Sequence, residues 1–76
     1  MRIKYDDNVD AAYIYFKDKI TPGEVKQTIT LNENFIVDLD KDGRLLGLEV
    51  LNAAKNLTKQ AIRELHTYKK PSTQAV

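Results

Sequence analysis

Chemistry is first sought in the run Asp38-Leu39-Asp40-Lys41-Asp42-Gly43 and in Glu49, six residues further on. Carboxylates at alternate positions, a glycine for a sharp turn and a closing glutamate follow the pattern of a calcium loop, in which oxygen ligands wrap a hard cation. That loop works between two helices. Here the flanks Phe35-Ile36-Val37 and Leu46-Gly47-Leu48-Glu49-Val50 alternate with period two, as strands do, and Asp42-Gly43 is a preferred tip for a short hairpin because both residue types tolerate positive φ. A hairpin stretches Asp38 and Glu49 along extended backbone instead of around an ion. The expected element is therefore a hairpin, and Asp38, Asp40, Asp42 and Glu49 define the alternative reading, a small metal- or ligand-binding protein.

The other reactive side chains have ordinary duties available to them. His66 is the only histidine and there is no cysteine, so one chain can assemble neither a zinc site nor a Cys-His pair. Asp6, Asp7 and Asp10, around Asn8, could pair as carboxylates, but these residues at a turn bond their own backbone. Lys59, Arg63, Lys69 and Lys70 could meet phosphates, yet a solvated helix end has the same composition, and neither a glycine-rich phosphate loop nor a helix-turn-helix pair accompanies them. Tyr13 and Tyr15 flank Ile14 on one strand; such rings stack bases or fill a protein interface. No catalytic residue and no cofactor site is expected, and nucleic acid is not the expected partner.

The elements that position these residues follow from periodicity. Arg2–Tyr5 alternates and runs into the Asp6-Asp7-Asn8 turn. Ala12–Phe16 forms the second strand, with Tyr13 and Tyr15 on one face. Pro22-Gly23 marks a type II turn. Glu24–Leu31 is the expected third strand, with Val25, Ile29 and Leu31 on one face and Glu24, Lys26, Thr28 and Thr30 on the other. Phe35–Asp40 is the fourth, aiming Phe35, Val37 and Leu39 inward, and Arg44–Leu51 the fifth, aiming Leu46, Leu48 and Val50 inward. From Leu57 the period changes: Leu57, Ala61, Ile62, Leu65 and Tyr68 form one helical stripe, capped by Asn56 or Thr58 and stopped by Pro71. The triplet Asn56-Leu57-Thr58 fits a glycosylation pattern and is read as helix-start chemistry. The fold class expected is α+β, an antiparallel β-meander of about five strands with one C-terminal α-helix packed on one face. Residues 1–70 form the domain and 71–76 a tail without fixed structure.

One helix covers one face of such a sheet, in the two-layer manner of small domains. The other face then carries Tyr13, Tyr15, Ile36, Leu45 and Leu51, more apolar surface than a free face usually shows, and a homodimer across it is expected. Size points the same way. With 76 residues and no disulfide, the chain can bury only about 60% of its unfolded surface. The composition, 42% hydrophobic and 30% charged, is that of a folded domain, and no apolar run suits a signal peptide or a membrane span, so a cytoplasmic protein is expected. The net charge of +1 conceals a split: residues 1–43 carry six basic and nine acidic side chains, residues 44–76 six basic and two acidic. Head-to-tail contact or an acidic partner suits that split.

The segments Ile3-Lys4-Tyr5-Asp6, Asp10-Ala11-Ala12-Tyr13-Ile14, Ile36-Val37-Asp38-Leu39-Asp40-Lys41-Asp42-Gly43 and Leu46-Gly47-Leu48-Glu49-Val50-Leu51-Asn52-Ala53 together resemble a family of short prokaryotic proteins, domain of unknown function twenty-two eighty-three. The resemblance covers residues 1–53 or so, and the Asp-x-Asp-Gly hairpin with the strand after it is its most specific part. It implies a β-meander with a C-terminal helix and a role beside small toxin-like proteins, with the chain as antitoxin or partner. It brings no catalytic residues with it. Ala12 stands where a larger apolar residue is common in that pattern, and the basic helix and tail are longer.

Overall fold

A computed structural model describes residues 1–65. The strands are β1 (Arg2–Asp6), β2 (Ala11–Tyr15), β3 (Gln27–Asn32), β4 (Phe35–Leu39) and β5 (Leu45–Leu51), followed by a one-turn helix, α1 (Ala53–Asn56), and a second helical segment, α2, over residues 59–65. The fold is α+β. Its open antiparallel sheet has the order β1-β2-β5-β4-β3, a hairpin joined to a three-strand meander. The connection over residues 16–26 carries the chain to the far edge, so β5 and not β3 lies beside β2. The Pro22-Gly23 turn within it forms as expected: Gly23 has φ 83°, and the Glu24 N–H donates to the Thr21 carbonyl at 3.1 Å.

Register assigns the two faces. On one, Tyr5, Ala12, Val50 and Phe35 align across four strands, and Ile3, Ile14, Leu48, Val37 and Ile29 across all five. Tyr5, Ala12 and Val50 join Ala53 and Leu65 as a buried cluster, against which Ile3, Phe35, Leu48, Leu57 and Ile62 pack. The helices therefore sit on this face. The opposite face, called smooth below, has no helix packed on it among the described residues.

Three expectations are corrected. The third strand begins at Gln27 and not at Glu24, because the Thr21-to-Glu24 turn occupies its proposed start; a bulge between Thr30 and Asn32 takes Leu31 out of the inward row, and Leu31 is 66% exposed. The single C-terminal helix expected is instead the second of two: its stripe from Leu57 falls on α2, and an unforeseen one-turn α1 precedes it, the two pieces separated by Leu57, which is extended (φ −116°, ψ 160°). Thr58, of the two proposed caps, starts the second piece: its hydroxyl accepts the Ala61 N–H at 3.1 Å. His66, Tyr68, Lys69, Lys70, the Pro71 stop and the proposed tail lie outside the described residues. Among the described residues no helix is long and apolar enough to cross a membrane.

Candidate functional site

The expected Asp-Gly hairpin forms, with Gly43 at φ 80°. Asp40 builds its tip. One carboxylate oxygen accepts the Asp42 N–H at 2.9 Å and the Arg44 N–H at 2.8 Å, while the Asp40 backbone pairs with Arg44 and Gly43. Those amides, Arg44's foremost, hold the Asp40 carboxyl below the usual range. Asp42 stands at the exposed tip, 3.4 Å from both Lys41 and Arg44. Asp38 is turned onto the smooth face, where its two oxygens accept the Tyr13 hydroxyl at 2.6 Å and the Thr28 hydroxyl at 2.8 Å. Glu49 shares that face, opposite Tyr13 and Ile36. The four acidic residues are thus strung along a hairpin, and among the described residues no three His, Cys, Asp or Glu side chains converge on one point.

The smooth face is organised by a missing side chain. Gly47 lies between Tyr15 on β2 and Asp38 on β4. Tyr13, one pair along, leans across it; a β-carbon on Gly47 would collide with the Tyr13 hydroxyl and ring. Only over a glycine can the phenol cross β5 to reach Asp38. Burial, reinforced by the Asp38 hydrogen bond, raises the Tyr13 phenol well above its ordinary pKa and keeps it a neutral donor. Tyr15 meets Tyr13 edge-on, with ring centroids 4.7 Å apart, and the Arg2 guanidinium lies 3.9 Å over the Tyr15 ring. The result is one connected chain of side chains: Arg2, Tyr15, Tyr13, Asp38, Thr28.

Of the residues proposed for this face, Tyr13, Tyr15, Ile36 and Leu51 fall on it by register and are half-buried. Leu45 lies past a register shift at Asp38 and Leu39 and is 43% exposed. Beside Tyr13 and Tyr15 the surface dips into an open depression of about 730 Å³, bordered by Lys4, Asp6, Ala11 and Glu49. Sequence reasoning missed the Tyr13-to-Asp38 bond and the part of Arg2. The available signal was Gly47 inside an otherwise apolar strand, which marks close approach of another group; naming that group needs the strand order.

A second polar cluster closes the opposite end of the sheet. Asp10, at φ 53°, accepts the Ala53 N–H through its carbonyl at 2.9 Å, the Ala54 N–H through its carboxylate at 3.1 Å, and the Tyr5 hydroxyl at 2.8 Å. It caps α1 from the β1–β2 turn, forty-odd residues away. Asn52, also left-handed at φ 53°, donates its amide to Asn34 at 2.9 Å. Asp6 accepts the Asn8 N–H at 2.9 Å, the turn duty foreseen for it.

Compared with known proteins, residues 2–53 match the model of a family described as Protein of unknown function (DUF2283). No curated protein and no solved structure matches the chain. The matched segment ends at Ala53, so it takes in the whole sheet, the Asp10 cap, the hairpin and the Tyr13-Gly47-Asp38 crossing.

Proposed function

Since the chain belongs to the family Protein of unknown function (DUF2283), whose description carries no activity, we propose its role from geometry: a non-enzymatic protein-interaction module that self-associates across the smooth face. The observation that carries this reading is the connected chain from Arg2 through Tyr15 and Tyr13 to Asp38 on a face without helix cover among the described residues. Tyrosine and arginine dominate binding energy at interfaces, and rings already held by neighbours lose little freedom when a partner arrives. Asp38 can be covered at low cost because both of its oxygens already have donors. Ile36 and Leu51 extend the apolar part of the surface, with Leu45 at its margin.

The small core gives self-association a stabilising role. Among the described residues the buried hydrophobic side chains are Tyr5, Ala12, Leu46, Val50, Ala53 and Leu65, two of them alanines. A domain with so little interior gains from covering a second face. The acidic hairpin favours this reading over metal or ligand binding, because Asp38 and Asp40 already accept hydrogen bonds within the sheet and the turn.

Leu45→Glu tests the proposal. An unpaired charge at the margin of the interface should weaken the smooth-face contact by about 2 kcal/mol, roughly 30-fold in Kd, and the sedimentation mass should fall. Wild-type monomer at about 100 µM, where a micromolar dimer would be assembled, overturns it. Copurification from the native host separates a second copy from the other occupant, a small toxin-like partner. A stoichiometric small protein recovered with the chain would favour that partner.

A further inference from the structure

The sheet ends in two unlike edges. β1 carries Arg2, Lys4 and Asp6 among five residues, whereas β3, Gln27–Asn32, has no charge, proline or glycine, and all six of its residues are exposed. Charged side chains and prolines are the usual protection of an edge against pairing, and only one edge has them. We propose that β3 is a homotypic edge, along which two copies pair antiparallel about a twofold axis through Ile29 to make one continuous sheet. The proposal goes beyond self-association across the smooth face, uses a different surface, and neither needs the other.

Hydrogen-bond parity gives this edge its register. The Leu51 N–H donates to the Asn34 carbonyl at 2.8 Å, so the even positions of β4, Ile36 and Asp38, exchange bonds with β5. The odd positions then serve β3, where Val37 and Leu39 pair with Ile29 and Gln27. Thr28 and Thr30 therefore direct their backbone N–H and C=O groups outward. An antiparallel copy that sets Thr28 against Thr30, and Thr30 against Thr28, satisfies all of these groups and brings the two Ile29 residues into the close, non-hydrogen-bonded position, with Cα atoms about 4.5 Å apart.

Two further features suit that arrangement. Ile29, 36% exposed, ends the five-strand aliphatic row, and pairing would continue the row without a break into the second copy. Lys26 and Glu33 flank β3 at opposite ends, so antiparallel pairing sets each Lys26 at the partner copy's Glu33 end. The bulge at Leu31 confines the contact to the straight part of the strand.

The cysteine-free chain allows a direct test. Ile29→Cys puts one thiol on the proposed axis, where the Cα separation suits a disulfide. Under oxidising conditions it should cross-link about tenfold faster than Arg2→Cys on the opposite edge. Thr30→Pro deletes an N–H the sheet does not use internally; it should slow that cross-linking and lower the sedimentation mass, with Thr30→Lys as the second variant. Both effects should persist in the Leu45→Glu background, so failure of the smooth-face reading leaves this one standing. Equal cross-linking of the two cysteine variants, or a mass unchanged by both Thr30 substitutions, overturns the proposal. A chain that stays monomeric and accepts only a foreign strand at β3 gives no cross-link and overturns it too.

Discussion

Removing the Tyr13 hydroxyl leaves Asp38 with Thr28 alone, so Tyr13→Phe is expected to cost about 1 kcal/mol in urea denaturation. Gly47→Ala should cost more, about 1–3 kcal/mol, because its methyl enters the space of the Tyr13 ring. In a Tyr13→Ala background the same alanine should be neutral or stabilising, since glycine within a strand is entropically costly. A double-mutant cycle showing additive effects would refute the crossing. Tyr5 supplies the pH dependence. Burial, then the hydrogen bond and charge of Asp10 and the charge of Asp7, push its phenol from 10.0 up to about 12. A folded pKa above the unfolded one means that the protonated phenol favours the native state: the contribution is complete below pH 10.0 and is lost as pH rises through about 12. Tyr5→Phe should therefore flatten the fall of the urea midpoint between those pH values.

At the scale of elements, α1 is too short to hold itself and depends on the β1–β2 turn. Asp10→Ala removes the bonds to Ala54 and Tyr5 and should cost about 2–3 kcal/mol. Asp10→Gly keeps the left-handed backbone while deleting the carboxylate, so a similar loss there assigns the effect to the cap and not to backbone strain. Exchange of the Ala54 amide should accelerate in both variants. The hairpin tip behaves oppositely to Tyr5 with pH. Asp40's folded pKa is lowered, chiefly by the Arg44 amide, so its contribution is present above the unfolded carboxyl value and is lost as pH falls through the depressed one. An NMR titration of the Arg44 amide that followed an ordinary carboxyl instead would contradict this.

At the scale of the molecule, the least extent is 19 Å, and among the described residues it holds a sheet and one layer of helix with no further layer on the smooth face. If association supplies part of the stability, the melting temperature of the wild type should rise with protein concentration and that of Leu45→Glu should rise less. A concentration-independent melting temperature in the wild type would argue against any homotypic contact under those conditions. The same slab shape presents both of the surfaces invoked here, a broad face and a bare edge, and a stack of edge-paired sheets would use the two together.

Alternation and turn chemistry were enough to locate all five strands, the Asp42-Gly43 hairpin and the side assignment of Tyr13, Tyr15, Ile36 and Leu51, because the period-two rule is local and a buried face enforces it. The expected bounds slipped where a neighbour intervened, at Glu24, held in a turn with Thr21, and at Leu31, set aside by a bulge. Strand order was not legible, since nothing local in residues 16–26 says that they pass to the far edge. Everything that depends on that order was hidden with it. Asp38 reads in sequence as a hairpin-strand carboxylate, a metal ligand only in the alternative reading, and only with β5 between β2 and β4 does it become the partner of Tyr13 across Gly47. Asp10 reads as a turn residue, and only the closed sheet brings α1 to its carboxylate. Local propensity sets which residues extend and which face they take; which residues meet is a property of long-range pairing, which no short window of sequence contains.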